Sequence, residues 1–277
     1  MGYADCHPWE DFGDFPLSTQ LELLKNGKCT RLTARSIYFA KADANARANK
    51  ENLLAARQIP MSHYLISYLD TSALDEMGKA FSNGFTHFKI KLGKELDREE
   101  GLLKEAIKHY PNAKFRLDFN SKLSKDQFIS FLDRLSFANS SIDYIEDPFA
   151  FNYGAWRQIQ ETFLINLAAD GHYKEAYGHP EAAKVLIMKP AIHTLKPVST
   201  GQKLIVTSYL DHPVGQMSAA YMASFAAKEP CGLLSHFTYE TNPFAQMIQH
   251  QGPWIHAVQG YGFGFDELLN KQQFLPL

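Results

Sequence analysis

From residue 62 to about residue 240, short apolar runs alternate with amphipathic stretches, and this alternation limits the possible folds more than any other feature of the chain. The runs are rich in β-branched and aromatic residues and cover 63–68, 85–92, 114–119, 142–146, 166–170, 185–189, 204–208 and 233–239. Stretches of helical periodicity lie between them, at 72–82, 97–109, 124–136 and 215–228. Strand then helix, repeated about eight times, specifies a parallel sheet covered by helices, either closed as a barrel or doubly wound. No Gly-x-Gly-x-x-Gly follows the first run, which disfavours a dinucleotide-binding sheet and favours the barrel. The connections after the fifth and sixth runs are roughly a dozen residues each, so stunted or absent helices are expected there. Ahead of the alternation, 17–58 reads as helical, with Leu17, Leu21 and Leu24 and later Ala40, Ala44 and Ala48 at helix-like spacing. Ser18 or Thr19 is the expected first cap there, with Glu22 placed for a capping box.

The 277 residues suit one barrel with some additional chain, since an α/β barrel commonly takes about 250. A formal charge of -2 gives no reason to expect nucleic acid or an anionic membrane as partner. No run approaches the roughly 18 apolar residues of a membrane span. The opening Met1-Gly2-Tyr3-Ala4-Asp5-Cys6 lacks the regions of a signal peptide. Cys6, Cys29 and Cys231 are scattered and read as reduced thiols of a cytoplasmic protein.

The ends of the runs carry the chemistry. The second ends Lys89-Ile90-Lys91, the third Asp118-Phe119-Asn120 and the fourth Glu146-Asp147-Pro148. The fifth ends Ala169-Asp170-Gly171 and the sixth Met188-Lys189-Pro190. In a barrel these are the carboxyl ends, where active sites are built. Asp118, Glu146 and Asp170 on three neighbouring strands can converge on one hard cation, Mg²⁺ or Mn²⁺, and leave room for water and substrate oxygens. Lys91 and Lys189 sit on strands two and six, so they are expected to face each other across the barrel mouth. A carbon acid with its carboxylate on the cation would then meet a lysine on either side. Proton loss beside a carboxylate concentrates negative charge, which a divalent ion and a nearby ammonium stabilise. Lys89 points to the same face as Lys91 and adds positive charge beside it, and neighbouring charge is what lets a lysine act as a base.

Each residue alone has a plainer reading. Alternate lysines are usually a solvated edge, Glu-Asp-Pro and Asp-Gly are usually turns, and Asp118 could cap the helix beginning near Ser124. Their conjunction on successive strand ends is what favours chemistry.

The ordered set resembles the enolase superfamily, whose base-plus-Mg²⁺ strategy is well understood. The Lys-x-Lys pair, Asp-x-Asn, Glu-Asp-Pro, the next Asp and the later Lys are similar to its muconate-lactonising subgroup, over roughly residues 62–240. Within that subgroup the chain is most similar to the short, divergent o-succinylbenzoate synthases, and Gly2–Trp9 is similar to a segment of their capping domain. The resemblance implies a (β/α)₇β modified TIM barrel at 61–249 and a small α+β capping domain made from 1–60 with 250–277 packing back. The capping domain is expected to be short, either truncated or unusual in form, because the family's usual leading strands are not seen before Gly2. It also implies dehydration of 2-succinyl-6-hydroxy-2,4-cyclohexadiene-1-carboxylate to o-succinylbenzoate, a carbon–oxygen lyase step of menaquinone biosynthesis. By carry-over Lys91 is the proton-transfer residue, Lys189 a cation that stabilises the enediolate, and Lys89 the residue that orients the carboxylate. Asp118, Glu146 and Asp170 would hold Mg²⁺. A small-molecule carboxylate is the expected partner, and similar short members suggest a monomer.

The seventh run departs from the family form Ser-Ser-x-Glu-Ser-x-x-Gly. Ser208 and Gly215 match, Asp211 replaces Glu, and Tyr209, His212 and Pro213 do not match. Ser208, Gly215, Asn120 and His236 are the candidate substrate contacts, His236 because it lies in the eighth run. His193 and His212 fall in loops that could line the pocket, and Trp9, Phe12 and Phe15 either cover it or join the core. The same scaffold supports N-acylamino acid racemases, dipeptide epimerases and cycloisomerases, and a catalytically silent carboxylate-binding barrel is the remaining alternative. No Gly-x-Ser-x-Gly or His-Glu-x-x-His is present, which removes the commonest hydrolase signals.

Overall fold

Seven of the eight apolar runs become the strands of one sheet in sequential order, paired in parallel from β1 to β6: β1 Tyr64–Ile66, β2 His87–Lys91, β3 Lys114–Asp118, β4 Ile142–Glu146, β5 Leu167–Ala169, β6 Val185–Met188 and β7 Lys203–Val206. The computed structural model describes residues 1–135 and 140–276; the last residue of the expected helix 124–136 and of the expected segment 250–277 lie outside them. The chain divides into two compact units. The first holds Met1–Met61, Lys189–Lys196 and the segment from Val206 on, and the second holds Ser62–Met188 and Pro197–Ile205. Residues 61–249, expected to form the barrel, are shared between the two units.

In the second unit, side-chain alternation sorts each strand into two faces. On β3, Phe115 and Leu117 are fully buried on one face, and Phe119 just beyond meets Phe131 edge-on at 5.2 Å. Arg116 and Asp118 take the opposite face. The helices that follow the strands are α3 Thr71–Ser82, α4 Leu96–His109, α5 Lys125–Leu135 and α6 Tyr153–Phe163, numbered after the two N-terminal helices described below. Each buries one stripe, for example Phe128, Phe131, Leu132 and Leu135 on α5. Helix starts are chemically marked. Asp70 accepts from the Ser72 and Ala73 N–H groups, and Ser124 and Gln127 exchange reciprocal bonds. The short connections behave as their lengths require: α7 Tyr173–Ala176 is one turn, and no helix lies between β6 and β7 among the described residues. Tyr144, Ala168, Val185, Ile187 and Ile205 form a buried apolar cluster on the sheet.

Below Lys89 lies a second polar layer. Arg116, cross-strand from Lys89, donates to Asp143 at 2.8 Å and reaches His63 Nδ1 at 2.9 Å. A guanidinium has no acceptor, so His63 Nδ1 must accept and the imidazole is neutral. Burial first, then the Arg116 and Lys89 charges, hold its pKa well below the usual histidine value.

The first unit corrects two expectations. The stretch 17–58, expected to be helical, forms α1 Leu17–Lys25 and α2 Arg31–Ala48, separated at Asn26-Gly27, where Gly27 takes φ 72°, and is not helical beyond Ala48. The first N-cap is Pro16 and makes no side-chain bond, so Ser18 and Thr19 lie inside the helix. The capping box belongs instead to Thr30 and Thr33. The eighth run is not a strand. Ser235–Thr238 is a 3₁₀ turn with Phe237 48% exposed, so the run lacks the alternation a half-buried strand needs. Residues just upstream pair instead: Cys231 N–H donates to Met61 O at 2.7 Å, Gly232 N–H to Val206 O at 2.9 Å and Ser208 N–H to Gly232 O at 3.0 Å. This unit also contains α8 Pro213–Ala226, α9 Pro243–Met247, a two-stranded antiparallel ribbon of β8 His250–Gln251 and β9 Trp254–Ile255, and α10 Asp266–Leu269. No helix among the described residues is long and apolar enough to cross a membrane.

Candidate active site

Register brings the sequence candidates of the second unit to one sheet end. Lys91 is cross-strand from Asp118, and Asp118 from Glu146. Asp170 is the first residue after β5. Lys89 Nζ stands between two of the carboxylates, 3.0 Å from Asp118 Oδ2 and 2.6 Å from Glu146 Oε1. Burial opposes the Lys89 charge, but Asp118 and Glu146 outweigh it and hold the ammonium pKa well above the usual lysine value. Asp118 is lowered: burial works upward, and Lys89 more than offsets it. Glu146 is pushed up to about 8, by burial and then by the Asp118 charge, despite Lys89. Its Oε2 is buried and has no hydrogen-bond partner among the described residues. One ammonium therefore faces an excess of carboxylate, and Glu146 bears the imbalance.

Asp118 does not cap the following helix. Its Oδ1 accepts the Asn120 N–H at 3.1 Å, and Ser124 caps α5. Asn120 and Ser121 both take positive φ, at 47° and 57°. Lys91, Leu92, Lys94, Asn120 and Lys122 line a hollow of about 350 Å³ beside this cluster.

Among the described residues, no three His, Cys, Asp or Glu side chains are gathered closely enough to hold a metal ion as they stand. The chemistry of the donors nevertheless fits a hard divalent cation. Asp118 and Glu146 are buried oxygen donors held by a counter-ion, and Glu146 keeps an unpartnered oxygen.

The remaining candidates belong to the first unit. Lys189 follows β6 directly, its Nζ 5.8 Å from the Phe12 ring centroid and 5.7 Å from that of Tyr209. Phe12 and Phe15 are 52% and 57% exposed, so neither joins the core. Trp9 Nε1 donates to Tyr209 O at 2.8 Å. His193 Nδ1 accepts the Lys189 N–H, and His212 Nδ1 accepts the Val214 N–H at the start of α8. Gln216 Nε2 donates to His236 Nδ1 at 2.8 Å, and burial, then His250, lower His236 to about 4. Ser208 is buried. Gly215 lies against two acids: a Cβ there would stand 2.9 Å from Asp5 Oδ2 and 3.1 Å from Asp211 Cγ.

That acid pair, Asp211 buried and Asp5 half-buried, does not stand out in the sequence. The only signal was Asp211 standing where relatives carry Glu. Asp5 accepts the His212 N–H and Asp211 the Tyr209 N–H, both at 2.9 Å. Burial, then the Asp5 charge, raise Asp211 to about 7, and Asp5 itself rises to about 6. A folded pKa above the unfolded value gives stability that is present below pH ~4 and is lost as the pH rises to about 7. Asp211→Asn keeps an acceptor for the Tyr209 N–H. It is expected to raise unfolding stability at pH 8 by on the order of 2–4 kcal/mol and to change little at pH 4. Urea unfolding at the two pH values checks this, and an equal shift at both would contradict it.

Residues 1–46 match the sequence family described as O-succinylbenzoate synthase, N-terminal domain, and residues 72–200 match the family Enolase C-terminal domain-like. A protein of Bdellovibrio bacteriovorus named o-succinylbenzoate synthase is 32% identical over 291 residues, spanning 100% of this chain and 87% of that protein. The chain belongs to the o-succinylbenzoate synthase family of the enolase superfamily. The fold of this family member is shared with solved superfamily structures at low sequence identity. A mandelate racemase/muconate lactonizing enzyme from Roseiflexus sp. has TM-score 0.78 and 18% identity, over 95% of this chain and 88% of that one. A muconate lactonizing enzyme has TM-score 0.71 and 18% identity over 92% and 78% of the two chains. A dipeptide epimerase from Enterococcus faecalis has TM-score 0.74 and 15% identity over 95% and 90%. The enolase-superfamily barrel expected from the strand-end motifs is thereby established.

Proposed function

We propose that this o-succinylbenzoate synthase family member is a divalent-metal-dependent dehydratase that converts 2-succinyl-6-hydroxy-2,4-cyclohexadiene-1-carboxylate to o-succinylbenzoate. The observation that carries the reading is the buried excess of negative charge at the ends of β3 and β4, with Lys91 directly cross-strand from Asp118. It occurs in a chain 32% identical to a protein named o-succinylbenzoate synthase.

Asp118, Glu146 and Asp170 would hold the cation, Mg²⁺ or Mn²⁺, which spreads the charge that develops on the substrate carboxylate. Lys91 removes the proton from the carbon beside that carboxylate. It then returns the same proton to the departing hydroxyl, so that water leaves and the ring becomes aromatic. Lys189 remains an ammonium throughout and stabilises the enediolate, and Lys89 orients the substrate carboxylate. Asn120, Ser208, Gly215 and His236 are proposed as substrate contacts. The deciding assay presents the protein and Mg²⁺ with the cyclohexadiene and follows the ultraviolet absorbance of the aromatic product. Racemisation of N-acylamino acids or dipeptides in place of aromatic product would overturn the dehydratase reading.

A further inference from the structure

Asp147 stands between the strands that carry the three carboxylates, and every polar group it has is committed to their ends. Its N–H donates to Ala168 O at 3.0 Å, on β5. Its carbonyl oxygen accepts the Ser121 N–H at 2.6 Å, in the turn that follows β3. Its carboxylate takes two consecutive backbone N–H groups beyond β5, with Oδ1 accepting from Asp170 at 3.2 Å and Oδ2 from Gly171 at 2.8 Å. The residue is buried and holds φ 39°, a left-handed conformation that costs a non-glycine residue on the order of 1–3 kcal/mol. Such a conformation persists only where its surroundings over-determine it, and these four bonds do so.

The positions tied together are informative. Asp147 follows Glu146 in sequence, clamps the backbone of Asp170, and fixes Ser121 three residues after Asp118. Gly171 fits the same arrangement, since a Cβ there would lie 3.3 Å from Asp147 Oδ2 and press on the clamp. We propose that Asp147 is a positioning residue whose carboxylate and backbone together set the mutual spacing of Asp118, Glu146 and Asp170 for cation binding. This inference rests on the metal reading given above.

The test uses metal-free full-length protein and Mn²⁺, with free Mn²⁺ read by electron paramagnetic resonance. Asp147→Asn keeps one acceptor oxygen, and its Mn²⁺ affinity is expected to fall about 10–100-fold, the usual cost of disturbing a partner that orients a ligand. Amide exchange at Asp170 and Gly171 is expected to quicken in the same metal-free variant. A purely structural role would lower the melting temperature and leave the Mn²⁺ affinity of the folded variant unchanged, which overturns the proposal. Should Asp147→Asn lose its cooperative melt, Gly171→Ala decides. Several-fold weaker Mn²⁺ binding supports the clamp, and unchanged binding overturns it. Wild-type protein that takes up no Mn²⁺ overturns the metal reading and this inference together, whereas equal binding by wild type and variant overturns this inference alone.

Discussion

Lys91→Ala is expected to lower the turnover of the cyclohexadiene by roughly 10²–10⁴-fold, the contribution of a positioned general acid–base. Affinity for Mn²⁺ and for the aromatic product should change little. Lys91 lies half-buried at the end of β2, and Asp118, its cross-strand neighbour, is lowered in part by its charge. Lys91→Arg separates proton transfer from electrostatics, because a guanidinium keeps the charge but cannot give up a proton in a protein. It is expected to be as inactive as the alanine variant. Recovery of most activity with arginine would mean that Lys91 acts only as a cation. Turnover within tenfold of wild type in Lys91→Ala would remove Lys91 from the proton-transfer step altogether.

The second large effect concerns stability. Lys89 is the only cation bonded to Asp118 and Glu146 among the described residues, and both acids are buried. Removing one member of a buried ion-paired set leaves an uncompensated charge and commonly costs about 3–5 kcal/mol. Lys89→Met is therefore expected to unfold at a markedly lower urea concentration than wild type when both are metal-free. A saturating divalent cation should restore most of the difference, because it replaces the missing counter-charge. If the variant matched wild type in chelator, Lys89 would be a solvated lysine and the description of the cluster would be wrong. If the loss were real but insensitive to Mg²⁺, the carboxylates would need a counter-ion without forming a metal site.

Much of the barrel could be read in the chain because burial writes its period into the sequence. On β3 the alternation of Phe115, Leu117 and Phe119 against Arg116 and Asp118 is the alternation of two faces, and the charges that end β2, β3 and β4 are the cluster itself. The eighth run misled because Leu233 and Leu234 are apolar and buried without being paired as a strand. The pairing passes through Cys231 and Gly232, two residues too few to show a period. The helical reading of 17–58 holds for Leu17–Lys25 and Arg31–Ala48 and fails at Asn26-Gly27 and beyond Ala48, because leucine and alanine spacing marks a helical face without marking where a helix stops. The Asp147 clamp left no sign in the sequence, and the Asp5–Asp211 pair left only the replacement of Glu by Asp211. Asp147 bonds backbone groups 23 and 24 residues away, and Asp5 meets the loop at His212 across 207 residues. Contacts of that kind follow from the fold and leave no local pattern.

In the proposed reaction the strand-end carboxylates and Lys91 carry out metal-assisted loss of water from one carbon acid. The most direct measurement is the ultraviolet absorbance of aromatic product formed from the cyclohexadiene by exhaustively chelated protein, before and after Mg²⁺ is restored. No product is expected in chelator, and full turnover is expected once Mg²⁺ is returned. Equal turnover in chelator, or none with Mg²⁺ present, would contradict the proposed reaction.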